Sequence, residues 1–304
     1  MSEITRVALD GMGGDNAPGE IVKGAVEAVQ LRKDIKILLT GQEEKLKSEL
    51  AKYTYPEDQI EIINATEVIE TAEPPVKAIR GKKDSSIVVA MKMVKKGEAD
   101  AFVSAGSTGA VLVGGQVLVG RIKGVEIYME SVMGKKNPTV GIVNIGAEEE
   151  KGNALVKETF PLLKACKDIN FIGSVEAREI PYGAADVIVC EAFVGNVILK
   201  LYEGVGGALM KKIKGGMMTS LRSKIGGLLV KPALKATMKD FDASEYGGAP
   251  LLGLNGLVVK THGSSKSREV CNSIIQCVTF KEQRINEKIR EAIQTSQEEK
   301  EKNE

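Results

Sequence analysis

The sequence predicts an α/β protein with a mainly parallel βαβ sheet and helices on both faces. Over the first two thirds of the chain, short apolar runs typical of buried strands alternate with apolar residues at helical spacing. Strands that alternate with helices form βαβ units, in which the strands are parallel and the helices cover the sheet. The 304 residues, of which 43% are hydrophobic and 27% charged, are enough for a single catalytic unit over residues 1–304.

The elements follow one another in a regular order. Residues 6–10 (RVALD) predict the first strand, and residues 21–31 predict a helix after a Gly/Asp/Pro turn. Residues 35–40 predict a second strand, and a charged helix follows Gln42. Residues 85–96 predict a helix because apolar side chains recur there every three or four positions. The other predicted strands are residues 59–63, 101–104, 139–145, 186–191 and 257–260, and helices are predicted from Ser107 and from Ser265.

Composition argues against several classes of function. Lys and Arg number 42 and Asp and Glu 41, and this near-balance argues against a nucleic-acid partner. One histidine, and four cysteines without a C-x-x-C pair, predict no metal site and a reducing, cytoplasmic location. The N-terminal residues do not resemble a signal peptide. The longest apolar stretch, residues 109–120, is shorter than the ~20 residues that a membrane-spanning helix requires.

Five turns after predicted strands combine glycine with hydroxyl, amide or charged side chains. In parallel sheets, ligands bind where the carboxyl ends of strands meet such turns. Helices that begin at these turns direct N–H groups and a partial positive charge outward, which favours an anion such as phosphate. A single glycine-rich turn is usually only a turn, but five at strand ends are less easily explained in that way. The turns are residues 10–18, 104–109, 144–153, 191–200 and 261–265.

Named nucleotide-binding and nucleophile motifs do not occur in the chain. The sequence contains no G-x-x-x-x-G-K-[ST] loop, no G-x-G-x-x-G loop after the first strand and no G-x-S-x-G turn. A serine triad would have to use His262, the one histidine. We therefore predict no cofactor.

A basic amphipathic stretch predicts a protruding helical hairpin over residues 211–240. Residues 211–239 carry eight basic and no acidic side chains, with apolar residues at helical spacing. Gly226, Gly227 and Pro232 should interrupt the helix there. Such a stretch can lie on an anionic membrane, dock an acidic protein, or pack on the core or on a second subunit. The residues of the expected membrane or carrier-protein surface are Met217, Leu221, Arg222, Lys224, Ile225, Leu228 and Lys231.

Seven motifs in order along nearly the whole chain resemble the bacterial phosphate acyltransferase family known as PlsX. Their joint occurrence is specific, although each alone would not be. They are ALDGMGGDNAP (8–18), SAGSTGA (104–110), VGRIKG (119–124), VNIGAEEEKGN (143–153), NFIGSVEARE (170–179), GNVILK (195–200) and YGGAPLLGLNGLVVKTHGSS (246–265).

The resemblance implies a soluble enzyme whose fold is similar to phosphate acetyltransferases and the isocitrate dehydrogenase group. Family members transfer a fatty acyl group from acyl carrier protein to inorganic phosphate. The acyl phosphate product is consumed by a membrane glycerol-3-phosphate acyltransferase in phospholipid synthesis. The resemblance further implies a cytoplasmic homodimer that associates peripherally with the membrane.

Together, the turns and the resemblance predict one phosphate-handling cleft lined by residues 13–16, 104–109 and 262–265. Phosphate is itself the nucleophile, so the protein needs only to position it and stabilise charge. The predicted catalytic residues are Asn196, Lys200 and His262, of which His262 would protonate the leaving thiolate or hold phosphate. The predicted phosphate- and substrate-binding residues are Asp10, Gly13, Gly14, Asp15, Asn16, Ser104, Gly106, Ser107, Thr108, Gly109, Lys151, Asn153, Gly263, Ser264 and Ser265.

One departure from the family falls at the 124/125 junction. After VGRIKG, family members continue through a Pro-containing segment, an LDxGAN-like strand and turn, and a helix. Here Gly124 is followed by residues that resemble sequence beyond that segment. Because a parallel sheet rarely survives the loss of a strand and its crossover, we favour an omission from the sequence over a true deletion.

Two other functions stay open at this point. The same scaffold could serve a non-catalytic, regulatory anion-binding protein, because a fold does not fix a function. It could also serve a nicotinamide-dependent dehydrogenase of the related fold, which would need bound NAD and clustered aspartates for a metal.

Overall fold

The computed structural model describes residues 3–120, 136–166, 169–239 and 247–291, without the side chains of residues 203, 235, 238 and 239. The chain divides into two compact units, one formed by Met1–Tyr128 with Ser244–Glu304 and the other by Met129–Ala243. The single catalytic unit over residues 1–304 remains a prediction from the sequence. Residues 121–124 of the VGRIKG motif, the 124/125 junction and Tyr246 lie outside the described residues.

The first unit contains a six-stranded sheet. Its strands are β1 (Thr5–Asp10), β2 (Ile35–Gly41), β3 (Ile60–Asn64), β4 (Ala101–Ser104), β8 (Ala249–Pro250) and β9 (Leu257–Lys260). They lie in the order β3-β2-β1-β4-β9-β8. All neighbouring strands are parallel except β8, which runs antiparallel to β9 at the edge.

Helices pack on this sheet and bury their apolar faces against it. They are α1 (Gly19–Leu31), α2 (Glu43–Leu50), α3 (Pro75–Gly81), α4 (Ser86–Lys95), α5 (Thr108–Gly114) and α9 (Ser267–Glu282), with a short π-helical segment over Gly115–Val119. α1 and α9 approach closely at Gly24, where an added Cβ would lie 2.6 Å from the Val270 Cβ. Ile87, Met91 and Phe102 are fully buried between α4 and the sheet, which explains the helical spacing of the apolar residues in 85–96.

The second unit contains a separate three-stranded sheet formed by β5 (Thr139–Asn144), β6 (Asn170–Glu176) and β7 (Val187–Val189). The strands are parallel and lie in the order β6-β5-β7. α6 (Ala154–Ala165) connects β5 to β6, and β7 leads into two long helices, α7 (Ala192–Met217) and α8 (Leu221–Lys239). The mixed α/β architecture with mostly parallel strands confirms the predicted fold class, although the strands form two sheets.

The two long helices turn at a different place from the one that the sequence predicts. α8 continues through Gly226, Gly227 and Pro232, the residues predicted to break it. The chain instead turns at residues 218–220, where the Ser220 hydroxyl accepts a hydrogen bond from the Ser223 N–H at 3.1 Å. A capping side chain satisfies an N–H group at a helix start, whereas two interior glycines cost only about 1 kcal/mol each relative to alanine. Among the described helices, none is long and apolar enough to cross a membrane.

Candidate active site

A row of polar side chains crosses the carboxyl edge of the first sheet. Asp10 on β1 is in register with Thr40 on β2, and Ser104 on β4 is in register with Lys260 on β9. Register partners on parallel strands point to the same face, so the four side chains form one row. Asp10, Thr40 and Ser104 are fully buried. The strand order reverses between β1 and β4, and this switch point is where open α/β sheets bind ligands.

Asp10 connects the turns that follow β1 and β4. Its carboxylate accepts hydrogen bonds from the Ser104 hydroxyl at 2.7 Å and from the Met12 N–H at 3.2 Å. The Ser104 hydroxyl in turn accepts from the Gly106 N–H at 2.9 Å. Burial raises the pKa of Asp10, and hydrogen bonds from Ser86, Ser104 and Met12 and the charge of Lys260 oppose that rise. Asp10 therefore shapes the turns from inside the protein.

Three of the predicted turns contact one another, and we call residues 13–16, 104–109 and 262–265 the three-turn cluster. The Asp15 N–H donates to the Gly263 carbonyl at 2.8 Å. The Asn16 amide donates to the Ser264 carbonyl at 3.0 Å. The Thr261 N–H donates to the Ser104 carbonyl at 3.0 Å and so joins the turns after β4 and β9.

Glycine is required where these turns approach most closely. A Cβ on Gly13 would lie 2.1 Å from an Asp10 carboxylate oxygen and 2.7 Å from the Gly106 nitrogen. Gly14 has a φ of +101°, a conformation that L side chains rarely adopt. A Cβ on Gly14 would also lie 2.9 Å from the Gly263 carbonyl oxygen. The glycines of the DGMGGDNAP motif therefore allow the backbones to meet.

The hydroxyl groups of the three-turn cluster fall into two sets. The Ser107 and Ser265 side chains are buried and hydrogen-bonded within the turns, to the Ala110 N–H at 3.4 Å and to the Thr261 hydroxyl at 2.6 Å. Thr108 and Ser264 are exposed, as is His262, whose Nδ1 lies 2.7 Å from the Ser264 hydroxyl. The exposed set is therefore the one available to a ligand.

Carboxylates of the protein itself accept hydrogen bonds from the N–H groups at the start of α9. The Ser267 N–H donates to the Glu20 carboxylate at 2.7 Å, and the Lys266 N–H donates to the Glu269 carboxylate at 2.9 Å. The helix start expected near Ser265 thus lies two residues later, at Ser267. These two N–H groups bind carboxylates of the protein, so they do not form the anion site that we expected at this helix.

Lys260 is a polar residue of the site that the sequence did not single out. Its Nζ contacts the Thr261 carbonyl oxygen and lies 3.4 Å from the Ala105 carbonyl oxygen. Burial lowers the pKa of Lys260 to about 8, although the charges of Asp10 and Asp15 act in the opposite direction. In the sequence, the one signal was a basic residue that ends an apolar strand immediately before THGSS.

The other predicted site residues belong to the second unit. Lys151 is exposed and pairs with Glu148 at 2.8 Å. Asn153 caps α6 by accepting a hydrogen bond from the Val156 N–H at 2.9 Å. Residues 191–200 were predicted as a turn but form the start of α7, which Glu191 caps. Asn196 and Lys200 are consequently exposed residues one turn apart on that helix.

A cavity of about 470 Å³ lies at the carboxyl edge of the second sheet. Its walls include Val143, Val156, Val194 and Ile198, and Asn153 contributes a polar group. Val143 lies near the carboxyl end of β5 and Asn153 caps α6, whereas Val194 and Ile198 belong to the first turns of α7. The sequence motifs VNIGAEEEKGN and GNVILK therefore both contribute to this cavity.

The predicted surface residues occupy the end of α7 and the first half of α8. Leu221, Ile225 and Leu228 share one face of α8 and are 76%, 54% and 72% exposed. Met217, Lys224, Leu228 and Lys231 line a groove of about 710 Å³ along the two helices. Among the described residues, no group of three or more His, Cys, Asp or Glu side chains is arranged to hold a metal ion.

A family whose description is "Fatty acid synthesis protein" matches residues 5–128 and 126–288 of the chain. The phosphate acyltransferase of Clostridium acetobutylicum (strain ATCC 824) is 46% identical over 322 residues, covering 93% of this chain and 97% of the relative. The phosphate acyltransferase of Clostridium novyi (strain NT) is 44% identical over 328 residues, covering 95% of this chain and 98% of the relative.

A solved phosphotransacetylase from Streptococcus pyogenes has a similar fold. It superimposes with a TM-score of 0.57 at 15% sequence identity and covers 93% of this chain and 95% of its own. At that identity, the likeness concerns the fold alone. The family match and the identity to curated relatives over nearly their full length show that the chain belongs to the bacterial phosphate acyltransferase family that its motifs indicated.

Proposed function

We propose that this protein transfers a fatty acyl group from acyl carrier protein to inorganic phosphate and so supplies acyl phosphate for phospholipid synthesis. The observation that carries the proposal is the mutual contact of the three turns at the switch point, centred on the hydrogen bond from the Asp15 N–H to the Gly263 carbonyl. The name of the curated relatives, phosphate acyltransferase, supports phosphate as the acyl acceptor.

The reaction requires little covalent chemistry from the protein. A phosphate oxygen attacks the thioester carbonyl carbon, a C–O bond forms, and the C–S bond breaks with its electron pair on sulfur. A thiolate with a conjugate-acid pKa of ~8.5 leaves readily and takes its proton from solvent or from a nearby acid. The protein must hold an anion next to a thioester and stabilise the charge on the thioester oxygen.

We assign phosphate contact to the exposed set of the three-turn cluster, which comprises Thr108, His262 and Ser264. The hydroxyl and imidazole groups can each donate a hydrogen bond to phosphate. The buried hydroxyls of Ser107 and Ser265 shape the turns, as Asp10 does. Lys151 and Asn153 are the proposed substrate-binding residues of the second unit, and Asn196 and Lys200 are its proposed catalytic residues.

We further propose that the surface over Met217–Lys231 docks acidic acyl carrier protein and rests on anionic lipid. Basic side chains next to exposed leucine and isoleucine residues suit both partners. A homodimer in the cytoplasm, peripheral on the membrane, would deliver acyl phosphate to a membrane glycerol-3-phosphate acyltransferase.

The deciding experiment incubates the purified protein with acyl carrier protein thioester and phosphate. Mass spectrometry detects acyl phosphate in the extracted products, and a thiol reagent follows release of the carrier thiol. We expect both signals in equal amounts and only when phosphate is present. A regulatory anion-binding protein would bind phosphate without forming acyl phosphate, and a dehydrogenase would bind NAD, so either result in place of turnover would refute the proposal.

The comparisons support the prediction that a family segment is missing after Gly124. The family matches in two parts that meet at residues 126–128, and the alignment with the Clostridium acetobutylicum relative is longer than the 304 residues of the chain. Peptide mapping of the purified protein tests whether the segment was omitted. A peptide that spans the 124–125 bond would show a true deletion and contradict the omission that we favour.

A further inference from the structure

We propose that the Lys260 ammonium group is the cation that binds the reacting phosphate in the three-turn cluster. This inference rests on the proposed function, because it names a further residue for the same anion. The inference rests on the position of the Lys260 Nζ atom. The group lies at the end of β9, near the Ala105 carbonyl of one turn and in contact with the Thr261 carbonyl that begins another.

The site requires a positive charge because it already contains two negative ones. The buried Asp10 and the exposed Asp15 both act on Lys260 through their charges. A phosphate dianion brought to these turns would be repelled by both carboxylates unless a cation stood between them. Lys260 is in register with Ser104, whose hydroxyl donates to Asp10, so its ammonium group is near enough to these carboxylates to supply that charge.

The geometry leaves Lys260 able to take a ligand. An ammonium group carries three donors, and two are directed at the Ala105 and Thr261 carbonyl oxygens. The third can donate to an anion. The stem is partly buried, which fixes the group and strengthens its interaction with a charge. Lys266 also lies near the cluster, but it is exposed and reaches the Asn16 side-chain oxygen at 3.3 Å.

The protonation state of Lys260 gives the inference a distinctive signature. Because its pKa is lowered to about 8, the amine loses its charge over a range in which ordinary lysines keep theirs. Anion binding should therefore weaken as pH rises through that value. The other charged or titratable groups around it are Asp10 and Asp15, His262 in the same turn, and Lys266 at the start of α9.

The first test measures sulfate binding by calorimetry from about pH 6.5 to about pH 9.5, because sulfate does not titrate in this range whereas phosphate does. We expect the sulfate affinity to fall about tenfold through pH 8, both in the wild-type protein and in His262→Gln. Lys260→Met should bind sulfate about 10- to 100-fold more weakly at neutral pH, as for the loss of a hydrogen bond to a charged group. The sulfate affinity of Lys260→Met should also show no tenfold fall as pH rises through 8.

The control is Lys36→Met, which removes a lysine from the same sheet. Lys36 lies near the start of β2 and pairs with Glu61 at 2.7 Å, away from the carboxyl edge. Its sulfate binding should match the wild type at every pH. Equal binding by Lys260→Met and wild type would overturn the inference and leave the proposed function intact, whereas wild-type protein that binds neither sulfate nor phosphate would contradict both.

A second measurement uses the wild-type protein alone, in case Lys260→Met does not fold. Acetic anhydride modifies neutral amines, so Lys260 should react faster near pH 8 than the exposed lysines, and mass spectrometry reads each site separately. Phosphate should protect Lys260 severalfold while leaving Lys36 unchanged. Equal labelling of Lys260 with and without saturating phosphate would overturn the inference.

Discussion

The Ser104 hydroxyl donates a 2.7 Å hydrogen bond to the buried carboxylate of Asp10 and links the turns that follow β1 and β4. Because the same hydroxyl accepts the Gly106 N–H, a single side chain determines the course of both backbones. The anion site that we propose therefore depends on a carboxylate that need not touch the anion. Asp10 is a positioning residue, and its removal should affect stability first.

Asp10→Ala should lower the free energy of unfolding by about 1–3 kcal/mol, because the Ser104 hydroxyl and the Met12 N–H lose a buried partner. Asp10→Asn keeps a carbonyl oxygen and should be milder. Urea unfolding of the three proteins measures the differences. Equal stability of wild type and Asp10→Ala would show that the carboxylate does not hold the turns.

The raised pKa of Asp10 predicts a pH dependence of definite sign. Between the unfolded-state value of about 4 and the higher folded-state value, the folded protein retains a proton that the unfolded chain has lost. Stability from this group is therefore present at low pH and is lost as pH rises through the folded-state pKa. Asn does not titrate, so the stability of Asp10→Asn relative to wild type should rise as pH increases from about 4 and should level off above the folded-state pKa of Asp10. A difference that does not change with pH would contradict the prediction.

Gly13→Ala should disrupt the three-turn cluster, because the new Cβ would lie 2.1 Å from an Asp10 oxygen and 2.7 Å from the Gly106 nitrogen. We expect a loss of about 2 kcal/mol or more in unfolding free energy and a large loss of acyl phosphate formation. Gly81→Ala is the matched control, because a Cβ there meets nothing within 4 Å at the end of α3. Its stability should stay within about 0.5 kcal/mol of wild type. If both variants behave alike, the close packing at Gly13 is unimportant.

The sequence predicts the ends of β1, β4 and β9 closely, because each is an apolar run that stops at a Gly-containing turn. It also predicts that parallel strands bring such turns to one edge. It does not indicate Lys260, because the environment of this residue depends on its register with Ser104, 156 positions earlier in the chain. The turn between α7 and α8 is predicted at the wrong place because Gly226, Gly227 and Pro232 are local helix breakers. The capping side chain of Ser220 instead determines where α8 begins.

His262→Ala should slow phosphorolysis of acyl carrier protein thioester by about tenfold or more, which is modest for an acid catalyst because the thiolate leaves without much help. If His262 holds phosphate, the KM for phosphate rises; if it protonates the thiolate, kcat falls. Ser264→Ala removes the 2.7 Å partner of Nδ1 and should show a smaller change of the same kind. A wild-type rate for His262→Ala would remove this residue from the site.

Replacing Leu221, Ile225 and Leu228 together by Asp should abolish flotation of the protein with anionic liposomes. The three side chains share the exposed face of α8, and carboxylates there would remove apolar area and repel anionic headgroups. Turnover of acyl carrier protein thioester in the absence of lipid separates the two proposed roles of the surface.

Lys224→Glu with Lys231→Glu should raise the KM for acyl carrier protein several-fold at low salt, because the reversed charges repel an acidic partner.

The control for flotation replaces Ile4, Leu31 and Val76 by Asp, three residues of the first unit that are likewise more than half exposed. The same number of carboxylates is then added at positions outside the helical hairpin, so general repulsion from the liposome is matched. This variant should float as the wild type does. If the hairpin variant floats equally well, the membrane does not bind through this face, and the exposed leucine and isoleucine residues of α8 must serve the carrier protein or a second subunit instead.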